Sequence, residues 1–113
     1  MKLINLTPHA INIVRKGQLD LIVSPERNSA RCEEVSTFWD YFSVNGNSIK
    51  INTLSRGRVV DIPPPGQPET WYIVSALVAK ALPERDDLLV VDELVRDGYG
   101  RVIGCNALAR LAP

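Results

Sequence analysis

His9, Cys32 and Cys105 are the residues of this chain whose types could support nucleophilic chemistry. An imidazole that titrates near neutral pH is a common general base, and a thiol beside it can be activated as a nucleophile. His9 is the only histidine, and its ring could instead hold the backbone of the turn in which it lies. Unpaired cysteines are most often small apolar core residues. The sequence leaves open a small hydrolase or transferase in which His9 acts with a cysteine or with Asp86 and Asp87, but it predicts no catalytic residue.

A second set of residues has the chemistry of an anion-binding site. The planar fork of arginine suits phosphate oxygens, and aromatic rings can stack on a nucleotide base. Four arginines lie beside glycines or in predicted hairpins, where their side chains could converge. Alternatively, they pair with neighbouring carboxylates on a solvated surface. The predicted ligand-binding residues are His9, Arg56, Arg58, Trp71, Tyr72, Ser75, Arg96, Tyr99 and Arg101.

The sequence gives little support to a metal or a cofactor. Asp86 and Asp87 are adjacent, and neighbours along a strand point to opposite faces. Cys32 and Cys105 lack the CxxC spacing of zinc and redox sites, and the chain has no glycine-rich phosphate loop. We therefore expect no metal and no cofactor, and the scarcity of catalytic groups favours binding over turnover.

Length and charge narrow the class of protein further. We expect the 113 residues to form a single domain over residues 1–113. Thirteen basic residues balance thirteen acidic ones, which argues against a general nucleic-acid binder and favours a homo-oligomer, because copies do not repel one another. The apolar runs are too short for a membrane helix, and the N-terminal residues do not resemble a signal peptide. We therefore predict a cytoplasmic protein with reduced thiols.

Turn signals divide most of the chain into short strands. A hairpin is predicted over residues 10–23, around Gly17. The aromatic and β-branched segment that follows leads to Asn45-Gly46, a strong signal for a tight hairpin turn. Beyond the returning strand, which should have one solvated face, a separate short strand is predicted over residues 59–62.

The C-terminal half predicts one helix and a closing hairpin. The proline-rich residues 63–69 form a stiff connector. Ser75 is expected to cap a short helix over residues 76–82, which must end before Pro83. The closing hairpin, residues 94–103, should hold two glycines at positive φ. We therefore predict an α+β fold of mainly antiparallel hairpins, arranged as a small sandwich or barrel, with one short helix.

Four blocks of the chain resemble a family of small, mostly uncharacterised proteins encoded by bacteriophages and prophages. The blocks are NLTPHAINI, RGRVVDIP, YIVSALVAKALPERDDLL and VRDGYGRVIGC. The chain departs from the family pattern at residues 69–72, where Glu-Thr-Trp-Tyr replaces the usual glycine-threonine entry. The resemblance implies a phage origin and carries no activity, cofactor or catalytic residue.

These observations favour a binding protein that sequesters a small anionic ligand, such as a nucleotide-like signal of host immunity. A phage protein needs only affinity to blunt such a signal. Two alternatives stay open, namely the small hydrolase or transferase described above and a structural or partner-binding accessory protein.

Overall fold

The computed structural model describes residues 1–112, and more than half of them lie in β-strands. The elements are β1 (Lys2–Asn5), β2 (Ile11–Ile13), β3 (Leu21–Val23), β4 (Arg31–Val44), β5 (Asn47–Val60), β6 (Thr70–Ile73), α1 (Ala76–Ala81), β7 (Leu88–Arg96) and β8 (Val102–Ala109). The fold is therefore mainly β with one short helix, so the label α+β describes it only loosely. No helix within residues 1–112 is long and apolar enough to cross a membrane.

Six strands form a nearly closed, barrel-like sheet in the order β1-β6-β7-β8-β2-β3. An isolated parallel bridge between Asn5 and Pro25 brings its two edges together. The prediction of a small barrel or sandwich fits this sheet. The expectation of mainly antiparallel pairing is incomplete, because β1 with β6, β6 with β7, and β2 with β8 all pair in parallel. Parallel partners are joined by long connections, so no local turn signal marks them.

The helix forms where the sequence places it. The Ser75 side chain accepts a hydrogen bond from the backbone N–H of Val78, at 3.3 Å. Leu82 has left the helical region, with φ −127° and ψ 61°, because Pro83 follows it. The predicted cap is therefore confirmed, and α1 ends one residue earlier than predicted.

The core lies on both sides of β6. Tyr72 and Val74 belong to one buried cluster, together with Leu6, Val78 and Leu88, while Ile73 belongs to a second cluster. Successive residues of a strand point to opposite faces, so β6 buries both of its faces, as central strands of sheets with parallel pairing do.

The strands β4 and β5 form a separate two-stranded sheet, which we call the arm (residues 31–60). At about 3.3 Å per residue, its fourteen-residue strands extend for roughly 45 Å. The turn has Asn45 at φ 52° and Gly46 at φ 80°, as the sequence predicted. The prediction of a separate strand over residues 59–62 is wrong, since β5 continues through Gly57 to Val60. The radius of gyration is 18.2 Å, against about 13 Å for a compact chain of this length.

The closing hairpin has a different turn from the one predicted. Gly100 adopts φ 81°, but Gly98 does not have a positive φ, so that part of the prediction is wrong. The backbone N–H of Gly100 donates to the carbonyl of Asp97 at 3.0 Å. This bond makes residues 97–100 a β-turn in which only the last glycine needs the left-handed region.

Candidate functional site

The nine residues predicted to bind an anion lie in four parts of the chain. They are His9 between β1 and β2, Arg56 and Arg58 on β5, Trp71, Tyr72 and Ser75 on and just after β6, and Arg96, Tyr99 and Arg101 around the β7–β8 turn. Eight residues of extended chain, roughly 26 Å, separate Leu88, which pairs with Tyr72, from Arg96. The group at the β7–β8 turn is therefore remote from the group on β6.

The structure brings Arg96, Tyr99 and Arg101 together at the β7–β8 turn. Both arginines form hydrogen bonds with other residues of this turn. Arg96 donates to the carbonyl of Gly100 at 2.8 Å. The Arg101 guanidinium pairs with Asp97 at 3.0 Å and lies 5.3 Å from the centre of the Tyr99 ring. Hydrogen bonds from the backbone N–H groups of Arg101 and Tyr99 lower the pKa of the Asp97 carboxyl. This network stabilises the turn. It matches the alternative in which the arginines pair with neighbouring carboxylates on a solvated surface.

Most of the other predicted residues have structural partners. Tyr72 is only 2 % exposed, and the Ser75 hydroxyl caps α1. Arg58 lies 3.5 Å from Glu33 on the surface of the arm. The carbonyl of His9, rather than its ring, accepts the hydrogen bonds that hold its turn, from the side chains of Asn5 and Thr7.

The two thiols occupy different environments. Cys105 is buried, and this burial raises its pKa, which disfavours the thiolate that a nucleophile requires. Cys32 is half-buried at the base of the arm and donates to the carbonyl of Gly57 at 3.5 Å. Both positions are typical of thiols that serve in packing.

A cavity of about 390 Å³ lies beside α1 and the start of β7. Its charged lining is mixed, with the cations Lys80, Arg85 and Arg110 and the carboxylates of Glu84 and Asp86. The Arg85 guanidinium forms two 2.8 Å bonds to Asp87. Arg85 also donates to the carbonyl of Pro63 at 3.0 Å. The hydrogen bond to Asp87 raises the pKa of Arg85, so it stays cationic. The sequence does not reveal this cavity because its cations lie in three separate parts of the chain.

The arm carries apolar side chains on both faces. Residues that pair directly across two strands share a face. Phe42 lies opposite Ile49, and Trp39, in the bulge between Phe38 and Asp40, packs edge-on against Phe42 at 5.6 Å. We call this side the apolar face of the arm. Its apolar residues are Val35, Trp39, Phe42, Val44, Ile49 and Ile51, and the register also places Thr37, Asn47, Thr53 and Ser55 on it.

The other face of the arm is more polar. Phe38 and Tyr41, with ring centres 5.2 Å apart, share it with Leu54. The register also places charged residues there, with Lys50 opposite Tyr41 and Arg56 opposite Glu34. On the apolar face, by contrast, the register places Asp40, and Glu33 lies at its base, where it pairs with Arg58. The two faces therefore differ in what they can bind.

The exposure of the arm is unusual for such apolar residues. Phe38, Trp39, Tyr41 and Phe42 are 45–60 % exposed. Since an aromatic side chain presents about 150–250 Å², these four leave on the order of 400 Å² of apolar surface in water, divided between the two faces of the arm. An isolated two-stranded hairpin is marginally stable at best in water, and large exposed apolar patches mark interaction sites.

A second apolar surface lies on the barrel. Residues of β2, β7 and β8 line a groove of about 150 Å³. Val91, Leu94, Val102 and Ile103 are its large apolar residues and are 42–51 % exposed. We call this depression the β7–β8 groove. The arm does not cover it, because beyond its own two strands the arm contacts α1.

Comparison with known proteins finds no match to a protein family, to a curated protein or to a solved structure. The site must therefore be interpreted from its own geometry. In the sequence, the aromatic residues of β4 indicate only a strand. The signal that could have revealed the arm is that apolar residues fall on both faces of a hairpin, whereas a surface hairpin usually has one solvated face.

Proposed function

We propose that this protein is a binding module that assembles with another protein chain through the apolar face of the arm. The observation that carries this proposal is the half-exposed row of large apolar side chains on a two-stranded ribbon. Burying such a row releases water from apolar surface at about 25 cal/mol per Å². The role corresponds to the partner-binding alternative left open by the sequence.

The composition of the apolar face favours a protein partner. Trp39 and Phe42 are of the aromatic type that dominates the centres of protein interfaces. Binding to nucleic acid or to an anionic membrane would require a surplus of lysine and arginine on the contacting surface. Asp40 lies on the apolar face, where its carboxylate would repel both.

Site-specific photo-crosslinking tests the proposal in the cells that naturally make the chain. A photoreactive phenylalanine at position 42 should form covalent adducts with a protein chain that mass spectrometry identifies. The matched control is the same probe at position 99, because Tyr99 is 87 % exposed but lies on the β7–β8 turn.

Introducing Trp39→Ser into the chain that carries the probe should abolish the adducts at position 42. The proposal fails if position 42 yields no protein adduct. It also fails if position 99 yields the same adducts at equal abundance.

A second candidate function is the capture of a small anionic ligand, and the cavity beside α1 supports it. Its volume is within the range of ligand pockets, and Lys80 and Arg110 supply cationic groups beside the carboxylates of Glu84 and Asp86. A nucleotide-like host signal, sequestered by a phage protein, remains the proposed ligand class. Calorimetry against linear and cyclic nucleotides should give binding heat that Arg110→Ala removes, with the ligand recovered unaltered. The absence of heat with every nucleotide would exclude this candidate.

A further inference from the structure

We infer that the partner of the arm adds an extended strand to the outer edge of β5, with apolar side chains on the apolar face of the arm and carboxylates on the opposite face. The inference rests on the proposed function and adds the docking mode and the sequence pattern of the partner. β5 offers a free edge, a regular alternation of faces and two unpaired cations.

The outer edge of β5 is free over residues 47–56. Within residues 1–112, β4 and β5 pair only with each other, so each strand has one edge whose backbone groups have no strand partner. The edge of β4 is interrupted, because Trp39 is an extra residue between Phe38 and Asp40, and such bulges protect an edge from further pairing. Residues 47–56 of β5 pair one by one without an extra residue. An extended peptide adds to an edge of this kind, and a third strand supplies stability that a two-stranded ribbon lacks.

The residues of this edge alternate between the two faces of the arm. Ile49 and Ile51 lie on the apolar face, whereas Lys50 and Arg56 lie on the opposite face. A strand added beside β5 shares this alternation, because neighbouring strands place their side chains on common faces. Apolar residues of the added strand would therefore extend the apolar face beside Ile49 and Ile51.

Lys50 and Arg56 determine the charge of the added strand. Both are exposed, and β5 contains no acidic residue. Although Glu34 lies opposite Arg56, neither cation forms an ion pair within the described residues 1–112. Opposite charges on adjacent strands stabilise their pairing, and like charges destabilise it. The two cations are six residues apart, or about 20 Å, so the partner strand should carry two carboxylates at the same spacing.

The same charges disfavour a second copy of this chain as the added strand. A second β5 carries cations alone, which would repel Lys50 and Arg56. The carboxylates of β4 do not have the required arrangement, because Glu34 lies opposite Arg56 but Asp40 lies opposite Ile51, on the other face. Neither strand of a copy's arm supplies the pattern, so the added strand belongs to a different protein chain.

Synthetic eleven-residue peptides test the inference by fluorescence anisotropy with the purified chain. The probe carries glutamates at its third and ninth positions, valines at the fourth, sixth and eighth, and threonines elsewhere. It should bind with a Kd below about 100 µM. The matched control exchanges the second glutamate with the valine before it, which moves that carboxylate to the apolar face. The control should bind at least about tenfold more weakly, since it loses one charge pair and places a carboxylate beside apolar residues.

Backbone methylation of the probe distinguishes strand addition from other modes of binding. A single edge of an added strand pairs with β5, so N-methylation of alternate residues along that edge should abolish binding. N-methylation along the other edge should leave binding unchanged.

Charge reversal in the chain tests the role of the two cations. Lys50→Glu with Arg56→Glu should weaken binding of the probe at least about tenfold. Lys16→Glu with Arg27→Glu is the matched control, because it changes the net charge equally at exposed positions outside the arm, and it should leave binding unchanged. Circular dichroism shows whether each variant is folded. Lys50→Glu alone, opposite Tyr41, replaces the double variant if that one is not.

Several outcomes would overturn the inference. They are no saturable binding of the probe up to about 1 mM, equal binding of probe and control peptide, and equal effects of methylation on the two edges. Adducts at position 42 with a chain that lacks the alternating acidic pattern would also overturn it, while the proposed function would stand. Binding of the probe without any adduct at position 42 would instead support the edge of β5 as a site and contradict the proposed function.

Discussion

At the scale of single residues, Asn5 links the two edges of the nearly closed sheet. It is completely buried, and its amide donates to the carbonyls of His9 at 2.8 Å and Val23 at 2.9 Å. Its side-chain oxygen accepts from both the backbone and the hydroxyl of Thr7. One short side chain thus connects β1, the turn after it and β3, at the place where the two edges of the sheet approach.

We expect Asn5→Ala to lower the free energy of unfolding by about 2–4 kcal/mol, because it leaves more than one buried group without a hydrogen-bond partner. Chemical denaturation followed by circular dichroism measures the change. Asn106→Ala is the control, since its exposed amide forms a single bond to the carbonyl of Val14 and should contribute about 1 kcal/mol or less. Equal losses for the two variants would mean that Asn5 does not hold the edges together.

Residues with local signals could be predicted from the sequence, and Asn5 could not. Ser75 was recognised because its partner, the N–H of Val78, lies three residues away, and Asn45-Gly46 because its turn geometry depends on two adjacent residues. The role of Asn5 depends on the carbonyl of Val23, eighteen residues away. Nothing in the residues around Asn5 marks that contact.

At the scale of elements, the strands were easier to predict than their partners. Turn chemistry indicates the hairpins β2–β3, β4–β5 and β7–β8, because each is closed by a short connection. The parallel pair β2–β8 has almost ninety residues between its strands, and no period or turn residue encodes it. The arm could not be predicted either, because an apolar strand has the same sequence pattern whether it is buried in a sheet or projects from it.

The close approach of β2 and β8 gives a prediction for an element. A Cβ added at Gly104 would lie 2.7 Å from the backbone carbonyl oxygen of Asn12, so Gly104→Ala should force the strands apart. The expected loss is about 1–3 kcal/mol of unfolding free energy. Gly98→Ala is the matched control, because a Cβ there meets nothing within 4 Å and Gly98 does not have a positive φ. Thermal unfolding of both variants tests this, and an unchanged midpoint for Gly104→Ala would exclude the close pairing of β2 with β8.

At the scale of the whole molecule, the protein consists of a nearly closed sheet and an arm that increases its longest dimension to 59 Å. The predicted fold class describes the sheet in outline. The predicted site residues lie in four parts of the chain, because the sequence offers residue types without their spatial arrangement. The apolar face of the arm is formed by residues that, in the sequence, indicate only a β-strand. The proposed role therefore depends on where the fold places these residues.

Hydrogen–deuterium exchange of the chain, measured for the purified protein alone and with the partner that crosslinks at position 42, tests the central claim most directly. The account predicts that the backbone amides of residues 31–60 exchange rapidly in the purified chain, since an isolated ribbon is marginally stable. Their protection should rise when the partner is added, while that of α1 stays unchanged. Arm amides that are equally protected with and without the partner would contradict the account, because the arm would then be stable without another chain to cover it.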